Sequence, residues 1–409
     1  MDNKLCNYQI QCPVIFGVDA VETLAGEVKK MGKSKAFVVY DQGVKATGIG
    51  DRVMQILADG GVEAKSFDNI AGEPIAHIVN EAGEQARDFG AEVVIGVGGG
   101  APLDTAKLVA VLLTNPGKIE DYFLSLIPVK GPDPIFATMH NHAPLIGVTT
   151  ASGTGAEVTC VAVLARDDGN KDAAFSACDL AIVDPKLTVT APPHVTANSG
   201  FDAMAHALEA YTTGAFDPVT GQGNDPFSKL LAIRAIEIIT DNIFKVYDDG
   251  SDLEARTEMS KAANWAGIAF SNTGVSFGHC IAHEFGSSFH VPHGLACSWT
   301  VPATVYHNAL WEKETGLAIA KAMRVDVSEE NTEQEIADAL KAKAIAMLKY
   351  CHIPNISTRG FTKEEAMDCY KKAIEGHPDQ FANTIVPLTE EEFRDIIGEI
   401  YDYADALDE

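Results

Sequence analysis

An α/β domain built on a parallel sheet, followed by an all-helical domain, is the architecture this sequence predicts. Three observations predict it. Short β-branched apolar runs alternate with amphipathic helical stretches up to about residue 190, and helical spacing then takes over almost without interruption. The chain is also 409 residues long, more than one compact core absorbs, so two domains are expected.

The elements follow in order. "AFVVYD" (36–41) reads as a buried strand, and "GDRVMQILADGG" (50–61) as a helix closed by glycine. "PIAHIVNEAGEQARDFG" (74–90) is a second amphipathic helix with a glycine stop. "AEVVIGVGGG" (91–100) is a strand running into a glycine loop, and "PLDTAKLVAVLLTN" (102–115) is a helix with proline near its start, where the missing N–H costs least. "PLIGVTT" (144–150), "VAVLAR" (161–166) and "LAIVDP" (180–185) are strand-like. Strands alternating with helices imply a parallel sheet with helices on its faces. Helical spacing then marks 199–214, 225–249, 252–272, 333–351 and 389–407. The boundary is expected in "TAPPHVTANSG" (190–200), giving domains 1–190 and 191–409.

Composition is that of a globular enzyme, with 46% hydrophobic and 22% charged residues. A net charge of −27 repels phosphate backbones and anionic head groups, which argues against nucleic acid or a membrane as partner. An anionic cofactor would need local help, such as backbone amides at a helix N-terminus. The start of the chain lacks the basic-then-apolar pattern of a signal peptide, and runs such as "LVAVLL" (108–113) are too short to span a bilayer. A cytoplasmic protein is expected. The eight cysteines contain no CxxC pair and are expected to be reduced and buried.

At the junction of the fourth run and its helix, Gly96 to Ala101 fits the loose G-x-G-x-x-[GA] pattern. Glycine suits a backbone that must approach a pyrophosphate closely with its N–H groups turned to the anion. Asp104 falls near the start of the following helix, where it either caps that helix or bonds a ligand near a nicotinamide ribose. "TTASGTGAE" (149–157) follows another strand and again offers small residues, hydroxyls and amides. Two such loops side by side at strand C-termini make a ligand cleft, so the first domain is read as dinucleotide-binding. Asp41, ending the strand 36–41, is either a turn residue or an acceptor for an adenosine ribose. In the second role it repels a 2′-phosphate and favours NAD over NADP.

The second domain carries candidate metal ligands. Asp202 and His206 are four residues apart on one helix, and so are His279 and His283 on another. "VPHG" presents His293 in a turn. An Asp/His set suits Fe²⁺ or Zn²⁺, and spacing leaves open whether His279 or His283 completes it. The H-E-x-x-H signature of zinc proteases is absent. His77, His140, His142, His194, His290, His307, His352 and His377 are read as packed or bystander residues.

Taken together, "GVGGGAPLDTAK" (96–107), "TTASGTGAE", "IVDPKL" (182–187), "GFDAMAHALEAY" (200–211), "AFSN" (269–272) and "GHCIAHEFGSSFHVPHG" (278–294) resemble the iron-containing (group III) alcohol dehydrogenase family. The resemblance implies the dehydroquinate synthase-like fold: a dinucleotide-binding α/β domain followed by a helical one. It implies Asp202, His206, His279 and His293 as metal ligands, with His283 beside the nicotinamide as proton relay. It implies Gly98, Gly99, Gly100 and Asp104 on the pyrophosphate side of NAD(P), Thr149, Thr150 and Thr154 on the cofactor, and Asp41 on the adenosine ribose. The activity implied is interconversion of primary alcohols or diols with aldehydes, in a homodimer or higher homo-oligomer. Ala101 and Ala156 stand where the family commonly has serine, Val148 replaces a proline, and the segment 129–144 is longer than expected. A synthase of the same fold needs a basic pocket, and the chemical stretches hold almost no Arg or Lys besides Lys107. A zinc-dependent, glycerol dehydrogenase-like polyol enzyme and a non-catalytic metal-dependent subunit are the alternatives.

Overall fold

A computed structural model describes residues 8–126, 141–169, 171–213 and 225–408. The chain divides into two compact units, Ile10–Thr190 and Ala191–Glu409, the latter joined by the residues up to Gln9.

The first unit is ordered as β1 (Val14–Phe16), α1 (Leu24–Lys30), β2 (Lys35–Val39), α2 (Gln42–Ala46), α3 (Ile49–Asp59), β3 (Glu63–Phe67), α4 (Ala76–Phe89), β4 (Val93–Gly98), α5 (Gly100–Thr114), β5 (Leu145–Thr149), β6 (Val161–Ala165), β7 (Lys171–Phe175) and β8 (Leu180–Val183). Six strands form a parallel sheet in the order β1-β8-β5-β4-β2-β3. Every residue of β4, β5 and β8 is buried, as expected of central strands covered on both faces. The chain steps outward from β2 to β3, returns past β2 to β4, and continues through β5 to β8. The order therefore reverses between β2 and β4, the place where open α/β sheets bind ligands at their strand C-termini.

The run 161–166, expected among the parallel strands, instead forms β6 of a separate antiparallel hairpin with β7. Its alternating half-buried pattern differs from the uniform burial of the central strands. Hydrogen bonds from α5 explain its placement. Asp104 Oδ2 accepts from the Val163 amide at 3.1 Å, and the buried Lys107 ammonium donates to Thr159 Oγ1 (2.8 Å) and the Val161 carbonyl (2.9 Å).

The second unit comprises α6 (Pro193–Thr212), α7 (Pro226–Asp248), α8 (Leu253–Thr273), α9 (Phe277–Phe289), α10 (His293–Trp311), α11 (Lys313–Ala322), α12 (Glu333–Tyr350), α13 (Lys363–Asp368), α14 (Tyr370–Gly376), α15 (Pro378–Ala382) and α16 (Glu390–Ala404), with no strand among the described residues. Helix α6 is buried almost all round, packed by α7, α8 and α10, which makes it the axis of this unit. The first domain was expected to begin at residue 1, yet Tyr8 and Gln9 pair within the helical unit. Tyr8 stacks on Phe227 at 4.8 Å, and Asn272 bonds both the amide (2.7 Å) and the carbonyl (3.0 Å) of Gln9.

The seven described cysteines are buried and form no disulfide with one another. Among the described residues no helix is long and apolar enough to cross a membrane. Most of the segment 129–144, including His140, lies outside the described residues.

Candidate metal centre

Helix α6 supplies Asp202 and His206 one turn apart, α9 supplies His279, and α10 supplies His293 as its first residue. His293 was expected in a turn. The turn is instead made by His290, which closes α9 with a left-handed φ of 55°, and the chain re-enters a helix at His293. One ligand atom from each of Asp202, His206, His279 and His293 lies within 4.8 Å of all the others. Asp202 Oδ1 is the hub, 3.4 Å from His293 Nε2, 3.7 Å from His206 Nδ1 and 3.8 Å from His279 Nε2. These separations suit donors sharing one ion at about 2.0–2.2 Å each. Asp202 Oδ1 and His206 Nδ1 are buried with no hydrogen-bond partner, and such orphaned atoms are costly unless a cation satisfies them. The donor set therefore fits a divalent transition metal.

Charge within the cluster is organised around the carboxylate. Burial opposes the ionisation of Asp202, but the surrounding imidazoles outweigh it and hold the carboxyl well below its usual range. Burial pushes His206 down to about 3, so it is a neutral donor. Burial also disfavours charge on His293, yet Cys297 and Asp202 overcome it and push that imidazole up to about 10. A proton there occupies the same negative potential that would attract a metal cation.

Neighbouring groups fix how the ligands point. Glu209, fully buried on α6 three residues beyond His206, has Oε1 2.8 Å from His279 Nδ1. Nδ1–H donates to that carboxylate, which leaves the Nε2 lone pair free for a metal. Space around Glu209 is tight, since a Cβ on Gly278 would stand 2.6 Å from Oε1. The His206 ring stacks on Phe270 of α8 at 4.1 Å and 13°. Glu209 escaped the sequence reading although it lies at i+7 from Asp202, on the stripe that carries both ligands.

His283 stays outside the donor set. Its ring stacks on His293 at 5.2 Å and lies 4.7 Å from His377, and its Nδ1 is 3.1 Å from Gln380 Oε1. His377, read as a packed residue, is thus part of this cluster. Nothing in its local sequence marks it, because the contact spans about a hundred residues. His290 is exposed.

In the first unit the expected cofactor residues converge. Asp41, Gly98–Gly100 and Thr149–Thr150 stand at the C-termini of the adjacent strands β2, β4 and β5, where Val39 is level with Gly96 and Gly98 with Thr149. The Thr150 amide donates to Gly98 O at 3.0 Å. Gly98 has φ 154°, and a Cβ there would come within 2.5 Å of Pro102. A Cβ on Gly100 would stand 3.0 Å from Thr154 Cγ2, so the two loops touch. Helix α5 begins at Gly100 with no side chain capping its N-terminus, which leaves its first amides available to an anion. Asp104 lies a turn further in and does not cap this end, its Oδ2 being bonded to Val163. Asp41 caps α2, with Oδ1 2.7 Å from the Val44 amide.

A doubly wound sheet with an uncapped glycine loop at its switch point, together with a helical unit holding a buried Asp/His set, defines a metal-dependent, nicotinamide-linked oxidoreductase. Residues 13–185 match the iron-containing alcohol dehydrogenase family, and residues 196–401 its C-terminal domain. The chain is 31% identical to choline dehydrogenase of Bacillus subtilis over 384 residues, 93% of this chain and 91% of that protein. It is 38% identical to long-chain-alcohol dehydrogenase 1 of Geobacillus thermodenitrificans over 290 residues, 70% and 69% of the two chains. A solved 1,3-propanediol oxidoreductase superposes with a TM-score of 0.87 at 25% identity, covering 97% of this chain and all of that one. The chain belongs to the iron-containing alcohol dehydrogenase family. It is an NAD(P)-linked alcohol dehydrogenase.

Proposed function

We propose that this enzyme reversibly oxidises a primary alcohol to its aldehyde with NAD⁺, at a centre where Asp202, His206, His279 and His293 hold one Fe²⁺ (or Zn²⁺) ion. The observation that carries this reading is the closure of four donor atoms within 4.8 Å, two of them buried and otherwise unsatisfied. Choline, long-chain alcohols and 1,3-propanediol, which the relatives' names specify, share a terminal CH₂OH and little else, which supports a primary alcohol.

When bound, the metal supplies Lewis acidity at the alcohol oxygen, and the nicotinamide supplies the hydride chemistry. The chain's own residues do the rest. Asp202 contributes the negative charge of the ligand set, and Glu209 keeps His279 in the ligating tautomer. His283, held by Gln380 and flanked by His293 and His377, takes the alcohol proton and passes it toward solvent. The Gly98–Gly100 amides and the N-terminus of α5 receive the pyrophosphate, with Thr149, Thr150 and Thr154 lining the cofactor and Asp104 on its nicotinamide side. Asp41 faces the adenosine ribose, where its carboxylate disfavours a 2′-phosphate and so selects NAD over NADP. The same reading carries the expectation of a cytoplasmic homodimer or higher homo-oligomer.

The test is elemental analysis of anaerobically purified protein, paired with NADH and NADPH consumption over a panel of aldehydes. Asp202→Ala and His279→Ala should lose metal and activity together, while His283→Ala should keep its metal and slow by ~10²-fold or more. Full activity in metal-free protein would sink the mechanism, and metal loss in His283→Ala would overturn the ligand assignment.

A further inference from the structure

His279 and His283, one turn apart on α9, are both tied at Nδ1, but to different kinds of group. His279 Nδ1 meets the Glu209 carboxylate of α6, whereas His283 Nδ1 lies 3.1 Å from the carboxamide oxygen of Gln380 on α15. A carboxamide oxygen only accepts, so the proton of this bond sits on His283 Nδ1. A neutral imidazole carries one ring proton, which makes Nε2 its basic nitrogen. The neutral amide thus sets the tautomer without bringing a further charge to the centre.

The segment that carries Gln380 is anchored on the same helix. His377 and Asn383 flank α15, each three residues from Gln380. His377 approaches the His283 ring at 4.7 Å. Asn383 Nδ2 donates to the carbonyls of Thr273 and Val275, at 3.0 Å each. These two carbonyls flank Gly274, whose φ of 73° closes α8 just before α9 begins. One segment therefore grips the approach to α9 through Asn383 and the ring of His283 through Gln380. Gln380 and Asn383 are both half-buried, as side chains held in place are.

We infer that Gln380 is a positioning residue for alcohol oxidation, locking His283 in the Nδ1–H tautomer so that Nε2 receives the alcohol proton. When Nε2 takes that proton, the Nδ1–H bond to Gln380 becomes charge-assisted and holds the ring through the transfer. Gln380 itself neither gains nor loses a proton. The inference rests on the reading of His283 as proton acceptor, and its test separates the two.

The metal-loaded, full-length enzyme is assayed with linear primary alcohols from ethanol to hexan-1-ol and NAD⁺. The variants are Gln380→Met, which keeps the length and removes the acceptor, Gln380→Glu, which keeps an acceptor, His283→Ala, and the double variant of Gln380→Met with His283→Ala. Gln380→Met should lower kcat ~10-fold or more with KM within about 2-fold and metal content unchanged. Gln380→Glu should stay within about 3-fold of wild type. On the His283→Ala background, Gln380→Met should add less than about a 2-fold loss, because it acts through the missing ring. An unchanged kcat in Gln380→Met overturns the inference. So does a loss that is equally large without His283, a Gln380→Glu variant as slow as Gln380→Met, or loss of metal in Gln380→Met. His283→Ala at the wild-type rate overturns the relay reading itself.

Discussion

Among single residues, Glu209 shows how much of a metal centre lies beyond its ligands. Its carboxylate receives His279 Nδ1 at 2.8 Å and also the Ser276 amide, so it fixes both a ligand ring and the start of the helix that carries it. Glu209→Gln removes the charge and frees the tautomer, and metal affinity should fall ~10- to 100-fold, read by chelator competition. Unchanged affinity would mean that packing alone orients His279. Asp202, the hub, was legible as a candidate because a carboxylate four residues before a histidine is a pattern in the chain. Cys297 was not legible. Its relation to His293 requires a helix running from 293 onward, and the sequence there reads as a turn.

At the scale of elements, that turn decides the geometry. His290 takes the left-handed conformation that ends α9, so α9 and α10 bring His279 and His293 to one point although fourteen residues separate them. The conformation costs a non-glycine residue about 1–2 kcal/mol, so His290→Gly should be neutral or stabilising by up to ~1 kcal/mol with metal content unchanged. His290→Val, β-branched at positive φ, should destabilise and lose metal, as thermal unfolding and metal analysis would show. A second junction ties α10, α12 and α16 together. Glu399 lies 2.9 Å from His307 and 2.7 Å from Lys341. Burial pushes the Glu399 carboxyl up, but the hydrogen bonds from His307 and Lys341 outweigh it and set it below its usual range. A depressed carboxylate stabilises the fold above its unfolded-state pKa, and that contribution is lost as pH falls through the folded value. Glu399→Gln should therefore cost stability near neutrality and little in acid, giving a flatter acid limb in pH-dependent denaturation. Equal destabilisation at both ends would assign the effect to packing.

For the whole molecule, the candidate donor set sits among helices of one unit and comes from three of them, so metal binding there should report on folding of that unit. A cation at a hundred times its dissociation constant stabilises the folded state by about 2.7 kcal/mol. Chelation should lower the unfolding temperature of the native enzyme, and re-addition of Fe²⁺ or Zn²⁺ should restore it. Asp202→Ala should unfold at one temperature with or without chelator. A chelator shift that persists in that variant would locate the stabilising ion elsewhere.

The sequence by itself determined what depends on local periodicity. Central strands reveal themselves by uninterrupted apolar runs, helices by their 3.6-residue repeat, and the glycine loop by small residues wedged between the two. The Asp202/His206 pair was visible for the same reason, since one helical turn is a sequence distance. Only the tertiary structure decided relations between distant segments. It placed His279 and not His283 in the donor set, which spacing left open and only the family resemblance implied, because one ring of α9 faces Asp202 and the other faces His377 and Gln380. It removed 161–166 from the parallel sheet, because Asp104 and Lys107 of α5 bond its backbone into a hairpin instead. It set the Cys297 sulfur 3.7 Å from His279 Nε2 and 3.6 Å from His293 Nε2. Each of these outcomes depends on which groups meet across a packed interior, and spacing along a chain carries that information only within one element.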